Sequence, residues 1–458
     1  MAPSSARIER HFGTINVDQM QSHIEHRFTV DADTTLIEIK FDYGPKRPAG
    51  SEFTHEVSLS LYDPHAGRGA RHNNPDHSIV LREGYASKGY VPGPLTPGTW
   101  TVSIDVHRIV APGQVTYDLS IKTDTAAQSD SQNTFVAATC APRGPGWYRG
   151  DLHGHTLHSD AQWDVPDFVD YARRIGLDFA TLTDHNTPSG IPECLSLAGD
   201  DLLLMGGTEL TTFWGHCLAI GTRDWVDWRT DAVPSMASKV SDLMAEGVLF
   251  VIAHPTSIGH PWCSGCEWKY SDMMPGPARI IEVWNGDWSG PARNELALAM
   301  YYGWLNQGHR LVATAGSDIH APFGPDQRPG YNVVYSEALR SEQILEGIRR
   351  GSLYLSSGPE IQVTLEDHPK ETAIGASLPL VDASLSIVWE KSPTDAVIWV
   401  VGRSNEAGER CRSKQIGEGS SGTATVHIRP QDSFDWAAVE IRDQYGDLHA
   451  LTNPSFLG

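Results

Sequence analysis

Residues 151–160 read DLHGHTLHSD and place His153 and His155 two positions apart at the end of a strand-like segment. In a β-strand, side chains at positions i and i+2 point to the same face, so the two imidazoles project together. Asp160 follows and can return an oxygen ligand from the next loop. An isolated pair of this kind is also typical of two hydrogen-bonded histidines near a turn. The segment alone leaves a metal site and a structural role open.

The middle of the chain contains further strand-like runs, and each carries another potential metal ligand at one end. These ligands are His185, Glu209, His216, His254, Asp318 and His320. In barrel-like α/β folds the carboxyl ends of the strands converge on one mouth, where active sites are built. Taken singly, each residue is open to a structural role, such as a buried histidine or a helix-capping aspartate. Together with the first segment, nine such residues at one rim favour a metal cluster.

Around these motifs, short apolar strands alternate with helical patterns from about Trp147 to Gly351. The strands include DFATLTD (178–184), VLFVIAHP (248–255) and LVATAGSD (311–318), and the helical patterns include PDFVDYARRIG (166–176) and ARNELALAMYYGWLNQG (292–308). Strand followed by helix, repeated, predicts a parallel, barrel-like α/β sheet. We place this domain at residues 146–352.

The two flanking regions alternate apolar and polar residues instead, which predicts half-buried strands separated by turns. Examples are TTLIEIKFDY (34–43) and GTWTVSIDV (98–106) before the middle domain, and IQVTLED (361–367) and TATVHIRP (423–430) after it. We therefore expect a multidomain α/β plus β protein, with β-sandwiches at residues 1–145 and 353–458. CAPRGPG (140–146) is the expected linker. The N-terminal sandwich shows no obvious chemistry, and the role of both sandwiches stays open.

Length and charge exclude several classes of protein. A chain of 458 residues is long enough for about three domains. The formal net charge of −22 disfavours nucleic acid as a general partner. The start of the chain lacks the apolar core of a signal peptide, and no stretch reaches membrane-spanning length. A cytoplasmic protein without a membrane partner is expected, and a homo-oligomer is left open.

A loop after the His254 strand, HPTSIGHPWCSGCEWKY (254–270), holds several candidates. His260 and Lys269 either bind an anionic group or are simply solvated. Cys263 and Cys266 form a single C-x-x-C, for which two ordinary thiols are favoured over a structural zinc site. The six cysteines of the chain are scattered, unlike a disulfide framework, so reduced thiols are expected.

Aromatic residues are dense near the predicted strand ends and in the same loop. They are Phe213, Trp214, Trp262, Trp268, Trp284 and Trp288. Large aromatic side chains are usually core material. The alternative is a rim that suits an apolar or aromatic leaving group, with Trp214, Trp262 and Lys269 as the substrate-binding candidates.

The motifs DLHGHTLHSD, TLTDHNT, TEL, AHP and GSDIH, in this order, resemble those of the polymerase and histidinol phosphatase (PHP) superfamily. The resemblance covers about 170 residues, from position 151 to position 320. It implies a distorted (β/α)7 barrel that holds up to three metal ions. With its flanking sandwiches, the chain is most similar to the CehA/McbA group, which includes carbaryl-hydrolysing enzymes.

The resemblance distributes the nine ligands over three ions. It implies one ion held by His153, His155, Glu209 and Asp318, and a second held by Asp160, His185 and His320. Glu209 would bridge to a third ion, held also by His216 and His254. Asp160 stands where some relatives carry histidine, which favours a harder ion at that position. Two to three divalent ions are expected as cofactors, and Zn, Mn or Fe are all compatible.

Three further residues are candidates for catalysis. Asp184 precedes the ligand His185 and is either its partner, a proton acceptor, or a turn-capping residue. His158 lies inside the first motif but is not a ligand in the family pattern, so it is either an outer partner of the metals or solvated. His260 of the long loop is the third.

Two such ions would lower the pKa of a shared water toward about 7 and provide a bridging hydroxide as nucleophile. The expected activity is hydrolysis of a small-molecule ester. The resemblance favours a phosphomonoester or phosphodiester, although no arginine lies beside a ligand motif. The alternative is a carbamate or carboxylic aryl ester, favoured by the aromatic residues and the CehA/McbA similarity. A metal-storing or carbohydrate-binding protein is disfavoured, because nine clustered ligands serve storage poorly.

Overall fold

The computed structural model describes residues 6–125, 135–141, 143–230, 235–378, 382–403, 412–428 and 435–457. Strands dominate this part of the chain, and the five α-helices are short. None of the helices described has both the length and the apolar character needed to span a bilayer.

The N-terminal region consists of two antiparallel sheets. Its strands are β1 (Arg7–Asn16), β2 (Ser22–Val30), β3 (Leu36–Gly44), β4 (Glu56–Tyr62), β5 (Gly67–Ala70), β6 (Ser78–Arg82), β7 (Tyr85–Ala86), β8 (Gly98–Arg108) and β9 (Gln114–Asp124). One sheet has the order β1-β9-β3-β6-β7 and the other β2-β8-β4-β5. The apolar residues of the alternating runs, among them Ile39 and Ile104, form one buried core. The predicted sandwich strands are therefore present, with ends shifted by one or two residues.

The middle region carries all five helices. Its elements are β10 (Gly146–Asp151), α1 (Val165–Arg174), β11 (Phe179–Leu182), α2 (Ile191–Ser196), β12 (Leu203–Thr212), β13 (Gly215–Ile220), α3 (Ala237–Ala245), β14 (Leu249–Ile252), β15 (Ile280–Asn285), α4 (Asn294–Asn306), β16 (Val312–Gly316), β17 (Tyr331–Ser336), α5 (Ser341–Arg349) and β18 (Leu353–Ser356). Helix α1 shows how the sequence sets these elements, because Asp164 caps its first turn and Phe168 and Val169 are buried.

The sheet of this region is mixed, so the prediction of a wholly parallel sheet is wrong in part. Strands β10-β11-β12 and β14-β15-β16 pair in parallel. Strand β13 is antiparallel to both β12 and β14. Only Phe213 and Trp214 separate β12 from β13, and so short a link makes a hairpin. Strand β17 also joins β10 antiparallel. A regular (β/α)7 repeat is not confirmed.

Side-chain amides join the two ends of this sheet. Asn332 on β17 accepts a hydrogen bond from the Ala315 amide at 2.9 Å and donates to the Ala315 carbonyl. Asn453, near the end of the chain, does the same for Ala313 at 2.7 and 2.9 Å. A parallel bridge between Gly154 and Ile319 is a further contact across this junction, which we call the seam of the sheet. Strand β16 is thereby held next to β10, β17 and β18.

The C-terminal region shares this sheet. Its strands are β19 (Glu360–Leu365), β20 (His368–Thr372), β21 (Ser377–Leu378), β22 (Ala383–Glu390), β23 (Val397–Gly402), β24 (Arg412–Glu418), β25 (Gly422–Ile428), β26 (Trp436–Arg442), β27 (Leu448–Thr452) and β28 (Ser455–Leu457). The path β18-β27-β26-β23-β24 continues the middle sheet, while β20-β19-β22-β25 forms a separate sheet. An apolar core includes residues of both. The domain limits at 145 and 352 stay predictions, and residues 429–430 of the TATVHIRP run lie outside the described residues.

Candidate metal centre

The nine expected ligands come together at one end of the middle sheet. Each provides a donor atom to a group whose members lie within 4.8 Å of one another. One group is His153, His155, Glu209 and Asp318, another is His155, Asp160, His185 and His320, and a third is His185, Glu209 and His216. The hairpin register explains how Glu209 and His216 meet, because β13 runs back beside β12 and pairs Thr211 with His216.

Glu209 lies at the middle of this cluster and is fully buried. Its Oε2 is 3.0 Å from His153 Nε2, 3.3 Å from His155 Nε2 and 3.0 Å from His185 Nδ1. Its Oε1 is 3.0 Å from His216 Nδ1 and 3.1 Å from His254 Nε2. One carboxylate therefore faces five imidazoles, which suits a carboxylate that bridges metal ions.

Two further carboxylates complete the ring of donors. Asp318 Oδ1 is 2.9 Å from His155 Nε2 and 3.4 Å from His153 Nε2. Asp160 Oδ1 is 3.1 Å from His320 Nε2 and 3.5 Å from His185 Nε2. Imidazole and carboxylate donors around one point are the ligand set of Zn, Mn and Fe sites.

Several histidines have their outer nitrogen fixed as a donor. His216 Nε2 donates to the Ser264 carbonyl at 3.2 Å, and His320 Nδ1 donates to the Asp318 carbonyl at 2.8 Å, because a carbonyl oxygen only accepts. His153 Nδ1 faces the Glu282 carboxylate at 3.1 Å. In a neutral imidazole the second nitrogen is then a bare lone pair. That nitrogen faces a carboxylate oxygen, and a divalent cation held between the two atoms would make this contact favourable.

The carboxylates of the cluster create a negative potential that favours a cation there. Burial lowers the pKa of His155 to about 4, and His185 and His320 add to this effect, so the His155 imidazole is neutral at pH 7. Burial also opposes a charge on His320, yet Asp160 and Asp318 raise its pKa to about 10. The negative potential that retains a proton on His320 equally attracts a divalent ion.

Unpartnered atoms and backbone strain mark the same place. The buried Nδ1 atoms of His155 and His254 have no hydrogen-bond partner. His254 and Asp318 have φ angles of 26° and 52°, in the left-handed region that disfavours residues with a side chain. Strain of this kind persists where the surroundings enforce it, which is common at functional sites. The residues present therefore fit a group of divalent ions.

Glu282 on β15 is a site residue that the sequence motifs did not indicate. It is 1% exposed, and its Oε2 also accepts hydrogen bonds from the His254 amide at 2.9 Å and Asn285 Nδ2 at 3.3 Å. It thus orients two of the expected ligands, His153 and His254, at once. The signal in the sequence was a single acidic residue inside the apolar run ARIIEVWNG (278–286), since a charge in a buried strand needs a partner.

The N-terminal sandwich also reaches the centre, although no chemistry was expected of it. The His72 ring lies 5.0 Å from the His185 ring, and Asn73 Nδ2 is 3.4 Å from Asp160 Oδ2. Glu56, His72 and His107 are buried together beside these ligands. No sequence pattern could have shown this, because the contacts depend on how the sandwich packs against the middle sheet.

Access to the cluster is uneven. The side chains of His320 and Asp318 are 34% and 24% exposed, and that of Asp160 is 11% exposed. His153, His155 and Glu209 are fully buried. Asn73, which is exposed, borders the Asp160 side. A small molecule therefore reaches the centre from the side of His320 and Asp318.

The three catalytic candidates have different surroundings. Asp184 accepts hydrogen bonds from the Thr156 amide, the Thr156 hydroxyl and the Ser159 hydroxyl, each at 2.7 Å, so it holds the turn between ligands. His158 is buried and contacts Ser189 Oγ at 2.7 Å. His260 is exposed on its loop. The catalytic role of all three stays a prediction.

The substrate-binding candidates lie at the surface or in the core. Trp262 is 65% exposed and packs edge-on against Phe53. Lys269 Nζ pairs with Glu267 at 3.3 Å, and Trp214 is half-buried against the core. The other aromatics are buried core residues, namely Phe213, Trp268, Trp284 and Trp288. These aromatic residues therefore do not form a continuous rim in the structure. The roles of Trp214, Trp262 and Lys269 stay predictions.

The expectation of reduced thiols at the C-x-x-C is wrong, because Cys263 and Cys266 form a disulfide. Their Cα atoms are 5.6 Å apart in the tight loop, within the range that a disulfide spans. Cys140, Cys194 and Cys217 are free, and Cys411 lies outside the described residues.

Comparison with known proteins gives distant structural neighbours. No protein-family model matches the chain, and no curated protein sequence matches it. A crystal structure of a two-domain protein from Bacteroides vulgatus, described as containing a PHP-like metal-dependent phosphoesterase, is 16% identical with a TM-score of 0.37, over 71% of this chain and 100% of that one.

Two further neighbours are smaller. One, from Bifidobacterium adolescentis, is described as a metal-dependent phosphoesterase, with 18% identity, a TM-score of 0.29, and coverage of 43% of this chain and 94% of that one. The other is an amidohydrolase from Chromobacterium violaceum with bound sulfate, with 18% identity, a TM-score of 0.29, and coverage of 38% and 88%. At this distance they carry no argument about the chemistry of this chain.

Proposed function

We propose that the protein is a metal-dependent hydrolase of the PHP superfamily that cleaves a small phosphomonoester or phosphodiester. The observation that carries this proposal is the set of imidazoles whose outer nitrogens are engaged while their inner nitrogens face the carboxylates of Glu209, Asp160 and Asp318. Such second partners fix the tautomer of a metal-ligating histidine. We assign two to three divalent ions to the nine ligands.

When bound, these ions supply a water nucleophile at neutral pH and polarise the substrate. The chain itself holds and orients them. Glu282 directs His153, the Ser264 carbonyl directs His216, and the Asp318 carbonyl directs His320. Asn285 Nδ2 donates to Asp318 Oδ2 at 3.3 Å and steadies the carboxylate at the open side. Burial of the other ligands excludes bulk water from all but the His320 and Asp318 edge.

A carbamate or carboxylic aryl ester hydrolase of the CehA/McbA type is the second candidate. It is favoured by the state of the nearby arginines, which are already engaged. Arg108 pairs with Glu56 at 3.2 Å, and Arg71 pairs with Asp76 at 3.1 Å. An anionic phosphate would find little free positive charge apart from the metals, whereas a neutral ester needs none.

A substrate panel separates the two. The purified protein is loaded with Zn²⁺, Mn²⁺ or Fe²⁺ and tested on p-nitrophenyl phosphate, bis-p-nitrophenyl phosphate, p-nitrophenyl acetate and 1-naphthyl N-methylcarbamate. Turnover of either phosphate, abolished by removing the metal, supports the phosphoesterase. Turnover of only the last two compounds would replace it by the carbamate or ester hydrolase. No metal-dependent turnover of any of the four would count against both.

A further inference from the structure

The disulfide of the long loop lies beside the ligands proposed for the third ion. Cys266 Sγ, a ring nitrogen of His216 and a ring nitrogen of His254 lie within 4.8 Å of one another. Both histidines also face Glu209 Oε1. A sulfur donor is thus close to two imidazoles that also face the Glu209 carboxylate.

The loop is fixed in this position from both sides. Ser264, between the cysteines, is buried and accepts the hydrogen bond from His216. Gly265 has a φ of +77°, and a Cβ there would lie 2.0 Å from the Thr212 carbonyl, so only glycine allows so close an approach to the hairpin. The Trp268 amide donates to the Pro255 carbonyl, next to His254, at 3.0 Å. The loop therefore holds Cys266 against both ligand-bearing segments.

We propose that Cys266 is a redox-dependent metal ligand. In the disulfide its sulfur is bonded to Cys263 and cannot act as a thiolate. A dithiol reductant delivers two electrons and two protons, which convert the disulfide into two thiols while the dithiol becomes a disulfide. The Cys266 thiol then releases its proton to solvent, and its thiolate would bind the third ion together with His216 and His254. Oxidation of the two thiols by a disulfide reverses the step and weakens that site.

The chemistry of the donors fits this role. A thiolate with two imidazoles and a carboxylate is a ligand set for Zn²⁺ or Co²⁺. Both cysteines are half-buried, so a small dithiol reaches them, whereas Cys194 and Cys217 are fully buried. The inference rests on the proposed metal centre and adds control of its third position by the redox state of the loop.

Cobalt provides a readout that does not depend on activity. The full-length protein is freed of metal and either kept oxidised, or reduced with a dithiol that is then removed under argon. Each form is titrated with Co²⁺ and Zn²⁺. The reduced form should show a near-ultraviolet band for charge transfer from thiolate to Co²⁺. The reduced form should bind one Zn²⁺ at least about tenfold more tightly than the oxidised form does. Loss of a residue that only hydrogen-bonds to a metal ligand already lowers metal affinity by about tenfold.

Three variants complete the test. Cys263→Ser should show the band without reductant, Cys266→Ser should lack it under all conditions, and Cys140→Ser should respond to reduction like the wild type. Equal Co²⁺ spectra and Zn²⁺ affinities in both redox states would overturn the redox inference and leave the metal centre intact. If neither the oxidised nor the reduced form binds any Co²⁺ or Zn²⁺, the metal centre is overturned as well.

Discussion

Replacement of Glu282 by glutamine tests whether an outer partner controls the metal centre. Glu282 Oε1 faces His153 Nδ1 at 3.1 Å, while Oε2 accepts from the His254 amide and from Asn285. In Glu282→Gln the amide oxygen is retained at the Oε2 position, because two donors point to it there. The new NH₂ group then faces His153, whose Nδ1 must become an acceptor. The proton moves to Nε2, the nitrogen that faces Glu209.

The expected loss follows from this change of tautomer. An imidazole with its proton on Nε2 cannot ligate an ion through that nitrogen. Mutation of outer partners of metal ligands typically costs about 10- to 100-fold in metal affinity or activity. This corresponds to about 1.4–2.7 kcal/mol. We expect the upper part of this range, because the contact is fully buried and no water can replace the lost acceptor.

Competition between the protein and a chelating dye measures the Zn²⁺ affinity of each variant. Glu440→Gln is the matched control, since Glu440 is also a strand glutamate, 4% exposed, that pairs with Arg442 at 2.6 Å outside the cluster. The control should leave Zn²⁺ binding unchanged. A Glu282→Gln protein that is folded and binds Zn²⁺ as tightly as the wild type would refute the tautomer argument.

Three further predictions concern the ligands, the fold and its pH dependence. His153→Ala and Asp318→Ala should each lose bound metal and activity together, as metal analysis and turnover would show, and full activity in either would contradict the assignment. Asn453→Leu leaves a buried amide and carbonyl of β16 unpaired and should lower stability by about 3 kcal/mol; a change in the urea midpoint equivalent to less than 1 kcal/mol would count against the seam. Burial lowers the pKa of His77 to about 4 from 6.5, so the unfolded chain alone takes up this proton between those values. The free energy of unfolding should therefore decrease as the pH is lowered from 6.5 towards 4, with a loss of at most about 2 kcal/mol near pH 5. The loss should be smaller in His77→Gln.

The positions of the ligands in the strands could be predicted because they depend on short-range patterns. A run such as VLFVIAHP shows where a buried strand ends, and the ligand follows within one or two residues. His254 indeed follows β14, and Asp318 follows β16. Convergence then needs only the general rule that neighbouring strand ends share one edge of a sheet. The sequence therefore predicts the members of the cluster better than their arrangement.

Contacts between distant segments could not be predicted in this way. The hairpin of β12 and β13 depends on a two-residue link, which the pattern of apolar runs does not distinguish from a longer crossover. His72 and Asn73 reach the centre from another domain, and nothing in their local sequence indicates it. The Cys263–Cys266 pair depends on a loop conformation that composition leaves undetermined.

The C-terminal region contributes to the centre indirectly, through the seam of the sheet. Asn453 pairs with both backbone groups of Ala313 and donates to the Leu353 carbonyl at 3.2 Å, so it holds β16 beside β18. Beyond the end of β16, the Asp318 amide donates to the His153 carbonyl at 3.0 Å. A shift of β16 would therefore move Asp318 away from His153. Because metal sites tolerate displacements of only a few tenths of an ångström, we expect this distant asparagine to affect how the proposed ions are coordinated.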